Sequence, residues 1–159
     1  MLVLTPKNYE STMISARQFS LLLVEDDEVD VMNVKRALKK NNLDIPFYRA
    51  ANGLEALHLL ECFELNSDQS LTNLLIFLDL NMPKMGGLEF LKLVRSNPKF
   101  KKIPLIVLTT SDQEQDLVAA YDLNVAGYII KPVEFSNFVE TINIVSQYWS
   151  VCERPKVKG

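Results

Sequence analysis

The sequence has little of what thiol, membrane or secretory chemistry requires. It holds two cysteines, Cys62 and Cys152, far apart and outside any metal-ligand spacing. Both therefore read as reduced thiols, and the protein as cytoplasmic. A single histidine, His58, reads as a surface position on a helix rather than a phosphohistidine carrier or a metal ligand. No apolar run reaches the roughly 18 residues of a transmembrane helix. The opening residues, MLVLTPKNYESTMISARQ, lack the basic start and long apolar centre of a signal peptide. A basic excess is also missing: 17 Lys and Arg face 20 Asp and Glu, for a net charge of −3 and a pI near 5.2. That argues against a general nucleic-acid or membrane-surface binder, since both want a positive field.

What is present is one domain's worth of core. Of 159 residues, 48% are hydrophobic and 23% charged, a balance suited to a packed domain and not to global disorder. There is no internal repeat, and no linker long enough to separate two domains. The expected organisation is an N-terminal extension over 1–18, a domain over 19–151 and a Pro/Lys-rich tail over 152–159.

The chain is organised around Leu74–Gly87, LLIFLDLNMPKMGG. The apolar run Leu74–Leu78 ends in one carboxylate, Asp79, with Pro83, Gly86 and Gly87 close behind. A short apolar run bounded by turn residues reads as a fully buried strand of a parallel sheet. Ligands of an open α/β sheet sit beyond the carboxyl ends of its strands. Asp79 stands at such an end. Further strands are predicted over Phe19–Val24, Ile45–Ala50, Ile103–Leu108 and Ala126–Ile130. Helical spacing of apolar residues predicts helices after Glu25–Glu28, over Leu54–Phe63, over Leu88–Ser96, from a capping-box pattern at Ser111 and Glu114 through Asp122, and over Glu134–Ser150. Five strands alternating with five helices imply an α/β fold: a parallel sheet covered on both faces.

Four of the predicted strands end in chemically useful types: Glu25-Asp26, Asp79, Thr109-Thr110 and Lys131. All fall on one rim of such a sheet, while Ile45–Ala50 ends in nothing chemical. Unit charges ~4 Å apart repel by about 4 kcal/mol at an effective dielectric near 20. A nest of acids therefore needs a cation, and oxygen-only ligands suit Mg²⁺. Lys131 adds a mobile ammonium. A divalent ion, a lysine, a hydroxyl and a central carboxylate together make a receptor for a phosphoryl group.

The segments VEDD (24–27), LDLNMPKMGG (78–87), LTTS (108–111) and GYIIKP (127–132) resemble the receiver domains of two-component response regulators, the CheY-like family. The resemblance spans roughly Phe19–Ser150. It implies a doubly wound, flavodoxin/CheY-like (βα)5 fold with strand order 2-1-3-4-5. It implies that Asp79 accepts a phosphoryl group from a sensor histidine kinase. Asp26, Asp79 and the backbone carbonyl of Asn81 would ligate Mg²⁺, with Glu25 acting through a water. Thr109 would be the switch hydroxyl, Lys131 the phosphoryl partner and Tyr128 the aromatic switch. A cis Lys131–Pro132 bond would aim the lysine, and Gly86 and Gly87 would let the loop after Asp79 turn. Asn81 and Ser111 would influence the lifetime of the acyl phosphate. The segments IPLIVLTTS, AYDLNVAGYIIKP and VSQYWSVCERP further resemble the small response regulators paired with cyanobacterial phytochromes, which implies a light-sensing kinase as partner.

Two rivals fit less well. A phosphatase of the aspartyl-nucleophile type carries a second Asp as general acid where this chain has Asn81. A flavodoxin-like cofactor binder needs a Gly-rich phosphate loop after the first strand, where EDDE would repel phosphate. Nothing after Ser150 reads as a DNA-binding or enzymatic module, so output is expected as a contact made by the domain itself or as phosphotransfer to another protein. On the last helix, Phe135, Phe138, Val139, Ile142, Val145 and Trp149 form the core-facing stripe, and Ile144, Tyr148 and Val151 a second one. A second copy or the N-terminal extension would cover that second stripe; a homodimer through this helix is the expectation.

Overall fold

Alternation along each strand decides the fold. Leu22 and Val24 enter one apolar cluster and Leu21 and Leu23 another, so the first strand is buried on both sides. The computed structural model describes residues 19–66 and 71–154. Within it the strands are β1 (Ser20–Val24), β2 (Phe47–Ala50), β3 (Leu74–Leu78), β4 (Leu105–Thr109) and β5 (Gly127–Ile130). The helices are α1 (Glu28–Lys40), α2 (Gly53–Leu65), α3 (Gly87–Ser96), α4 (Glu114–Asp122) and α5 (Phe135–Val151). The sheet is all parallel, in order β2-β1-β3-β4-β5.

Leu22, Ile76, Leu78, Leu105 and Val107 meet Ala56, Leu60 and Phe63 of α2, Phe90, Leu91 and Val94 of α3 and Ala120 of α4. On the opposite face Leu21, Leu23, Leu75, Phe77, Ile106 and Leu108 meet Val31, Val34 and Leu38 of α1 and Phe138 and Ile142 of α5. Each of the Val, Leu, Ile and Phe side chains among them contributes about 1.5–3 kcal/mol on burial. Every residue of β3 and β4 is buried, whereas β5, at the edge, is only half-buried.

Two strands start later than their apolar runs suggest, for one reason. The expected Ile45–Ala50 and Ile103–Leu108 begin in the structure at Phe47 and Leu105. Pro46 and Pro104 precede them and have no N–H to give a ladder. Their carbonyls still take part: Leu21 N–H donates to Pro46 O at 2.9 Å and Ile76 N–H to Pro104 O at 3.1 Å.

Two of the five helices start on a capping side chain, while α3, α4 and α5 have none. Asp27 caps α1, accepting from the Val29 and Asp30 amides at 2.8 and 3.1 Å, and Asn52 caps α2, accepting from the Glu55 amide at 3.0 Å. The capping box expected at Ser111 and Glu114 does not form. The cap residue of α4 is Gln113, and the Ser111 hydroxyl is committed instead to the Asp116 carboxylate at 2.6 Å.

The loop after β3 turns through Lys84, at φ 67°, and not through the two glycines expected to do so. Gly87 is required for a different reason. A Cβ there would lie 2.4 Å from the Asp79 carbonyl oxygen and 2.7 Å from Leu80 Cα. A Cβ at Gly86 would make only an ordinary contact, 3.7 Å from the Leu80 carbonyl oxygen. Residues 1–18 and 155–159 and the middle of the Glu64–Asn73 loop lie outside the described residues; Leu71–Asn73 form a 3-10 turn. The first tail residues dock: Arg154 donates to Leu74 O at 3.0 Å and lies over the Trp149 ring. Among the described residues no helix is long and apolar enough to cross a membrane.

Candidate phosphoryl-acceptor site

The backbone ladder holds the residues at the rim. Beyond the last residue of β1, Glu25 N–H donates to Ala50 O at 3.0 Å; beyond β3, Asp79 N–H donates to Val24 O at 3.0 Å; beyond β5, Lys131 N–H donates to Thr109 O at 2.8 Å. Each functional side chain therefore leaves a backbone fixed to the neighbouring strand. The expected convergence is present. Glu25, Asp26 and Asp79 offer carboxylate oxygens that all lie within 4.8 Å of one another.

Their burial differs. Glu25 and Asp79 are buried, while Asp26 is exposed and opens the cluster to water. Thr109, fully buried, donates its hydroxyl hydrogen bond to Asp79 Oδ1 at 2.8 Å. The Asn81 amide lies 3.4 Å from the same oxygen, so its backbone sits beside the carboxylate. Lys131 Nζ is 2.7 Å from Glu25 Oε2, 2.8 Å from Asp30 Oδ2 and 3.7 Å from Asp79 Oδ2. The ammonium thus stands closer to two flanking acids than to the central one.

Burial sets the electrostatics. It pushes the Glu25 carboxyl up to about 7, although Lys131 and the Asp27 amide, which donates to Glu25 Oε1 at 3.1 Å, both favour the charged form. Burial also disfavours the Lys131 ammonium, but hydrogen bonds to Asp30 and Glu25 and the charge of Asp79 outweigh it, so the lysine is held above its ordinary value. Tyr128 is raised, mainly by burial. Its hydroxyl donates to Ser111 O at 2.9 Å and its ring packs on the cluster that contains Leu78 and Val107.

The family described as the response regulator receiver domain matches residues 21–143. The chain belongs to that family. Response regulator Rcp1 of Synechocystis is 35% identical over 129 residues, covering 81% of this chain and 87% of Rcp1. The crystal structure of the phosphorylated cyanobacterial phytochrome response regulator RcpA superposes with a TM-score of 0.78 at 31% identity, over 88% of this chain and 100% of that one. The Mn²⁺-bound form of Rcp1 gives a TM-score of 0.72 at 32% identity, over 86% and 99% of the two chains. The resemblance to phytochrome response regulators is therefore a property of the whole receiver.

The receiver brings Glu25, Asp26, Asp79, Thr109 and Lys131 to one rim, with Asn81 and Tyr128 flanking it. One expected device is absent: the Lys131–Pro132 bond is trans, and no peptide bond among the described residues is cis. The trans form is the lower-energy one by ~0.5–1 kcal/mol, and the lysine's four-carbon stem reaches the acids without the isomer. Two residues escaped the sequence reading. Asp30 lies on the first turn of α1 and binds Lys131. Arg49 lies on β2, the strand whose end carries nothing chemical, and donates to Glu25 O, Asp26 O and Glu28 Oε1. The only sequence signal for either was a charge in the first turn of a helix or one residue from a strand's end.

The all-oxygen acid cluster fits a hard divalent ion: the carboxylate oxygens are close together, one acid is open to water, and the nearby lysine does not saturate them.

Proposed function

We propose that this receiver accepts a phosphoryl group on Asp79 from a sensor histidine kinase, in a Mg²⁺-dependent reaction, and signals by a surface change linked to phosphorylation. The observation that carries the reading is the placement of the Asp79 carboxylate between the Thr109 hydroxyl, at 2.8 Å, and the Lys131 ammonium, at 3.7 Å, within the acid cluster. In transfer, an Asp79 oxygen bonds to phosphorus as the bond from phosphorus to the donor's imidazole nitrogen breaks. Asp26, Asp79 and the Asn81 carbonyl would hold Mg²⁺. Glu25, with its oxygens turned to Lys131 and the Asp27 amide, would act through a water. When bound, the ion neutralises phosphoryl oxygens as charge shifts between donor and acceptor.

Lys131 leaves its flanking acids to pair with a phosphoryl oxygen, which offers more charge than the resting carboxylate. Thr109 transfers its hydrogen bond from Asp79 to the phosphoryl group, and Tyr128 follows into the space behind it. That differential contact is what shifts the receiver between two states. With Asn81 where an acid catalyst would stand, the chain is a phosphoacceptor that labels itself from small donors and loses the group by its own dephosphorylation, not an enzyme that turns over outside substrates. The likeness to RcpA and Rcp1 makes a phytochrome-type kinase the favoured partner.

Incubation with Mg²⁺ and a small acyl phosphate tests this by mass. Wild type gains one phosphoryl group and Asp79→Asn gains none; a labelled Asp79→Asn protein would move the assignment elsewhere.

A homodimer through α5 is the second part of the proposal. Ile144, Tyr148 and Val151 are 58%, 64% and 62% exposed along that helix, an apolar stripe facing away from the core. Sedimentation of the free and phosphorylated protein gives a dimer in at least one state; a monomer in both would rule it out.

A further inference from the structure

Arg49 stands one residue before the end of β2 and reaches across to the loop between β1 and α1. Its guanidinium is a planar fork with donors in fixed directions; two of those donors end on that loop and a third on Glu28, the first residue of α1. Nε donates to the Glu25 carbonyl at 3.1 Å, Nη2 to the Asp26 carbonyl at 3.1 Å and Nη1 to the Glu28 carboxylate at 2.6 Å. Glu25 and Asp26 are two of the three acids of the cluster.

From this geometry we propose that Arg49 is a positioning residue for the divalent-ion site, holding the backbone carbonyls of Glu25 and Asp26, the two residues whose side chains enter the cluster. The proposal rests on the reading of the acid cluster as that site. The β1 ladder to β2 ends at the Glu25 amide, which donates to Ala50 O. Beyond it, Asp26 is exposed, and the clamp from β2 carries the fixed geometry one residue further. In this way the one strand that supplies no ligand still shapes the site. Partners that orient ligands typically matter by about 10–100-fold in metal affinity.

The sign of the effect separates positioning from charge. An arginine near a cation site repels the ion, so deleting its charge alone tightens Mg²⁺ binding. Loss of positioning weakens it. Arg49→Lys keeps the charge but presents one compact ammonium, which does not reproduce the fork that meets both carbonyls. Glu28→Gln leaves both carbonyl contacts in place and alters only the exposed third one.

The experiment is calorimetric titration of the full chain with Mg²⁺, paired with amide NMR spectra of the metal-free protein. Arg49→Gln and Arg49→Lys are expected to weaken Mg²⁺ binding by about tenfold or more, and Glu28→Gln by less than about twofold. In the metal-free spectra of both Arg49 variants, the Asp27 amide, which donates to Glu25 Oε1, shifts and broadens while the β3 amides stay in place, showing an intact fold. Arg49→Gln binding as tightly as wild type or more tightly, or Arg49→Lys binding as wild type does, overturns the clamp. A wild type that takes up no Mg²⁺ overturns the reading of the site itself, and with it the role assigned to Arg49.

Discussion

The interior of the sheet and its C-terminal rim are both buried, for opposite reasons. All five residues of β3 are buried between hydrocarbon layers on the two faces. One peptide further on, Asp79 is 7% exposed, alongside Glu25 at 1% and Thr109 at 0%. Burial lowers the free energy of the interior outright. At the rim it raises the free energy of charged groups, and an ammonium and oriented donors offset the cost. The interior is therefore indifferent to pH and to cations. The rim is poised, and its balance changes with each charge that enters.

The largest expected effect falls on the interior. Ile76→Ala removes a fully buried side chain and should cost about 2–5 kcal/mol in urea denaturation. The folded variant should still become phosphorylated, and its loss should be the same with or without Mg²⁺. A loss that Mg²⁺ abolished would break the contrast between interior and rim.

A smaller effect tests the rim through pH. The Glu25 carboxyl is held up at about 7 against an ordinary 4.5 by burial. A carboxyl raised in the fold binds its proton more tightly there than in the unfolded chain. Its contribution to stability is therefore complete below about pH 4.5 and is lost as pH rises through about 7. The metal-free melting temperature should fall over that window, Glu25→Gln should flatten the fall, and Mg²⁺, which favours the ionised cluster, should oppose it. A metal-free protein whose stability rose across the same window would contradict the burial argument.

The same contrast explains what the sequence made legible. Each of Glu25, Asp79, Thr109 and Lys131 closes an apolar run, so the parallel sheet alone carries them to one rim. The two core faces follow from the alternation of Leu21 to Val24 and its counterparts in β3 and β4. Less visible were contacts made across elements. Asp30 and Arg49 act on groups distant in sequence, Lys131 and the Glu25-Asp26 backbone, and no periodicity marks such pairs. Competition between local partners was also hidden. The Ser111 hydroxyl could cap α4 or bind Asp116, and the carboxylate wins. The loop after β3 could turn at glycine, yet it turns at Lys84, and Gly87 is needed instead because Asp79's own carbonyl approaches so closely.

The central claim, that a divalent ion lets one buried carboxylate at the rim take up phosphate, is met most directly by locating the phosphoryl group. Wild-type protein would be treated with a small acyl phosphate, with Mg²⁺ or with a chelator, and the label mapped on proteolytic peptides. The account predicts a single site on the peptide that contains Asp79, formed only with Mg²⁺. A label on any other peptide, or equal labelling of Asp79 in the chelator, would contradict it.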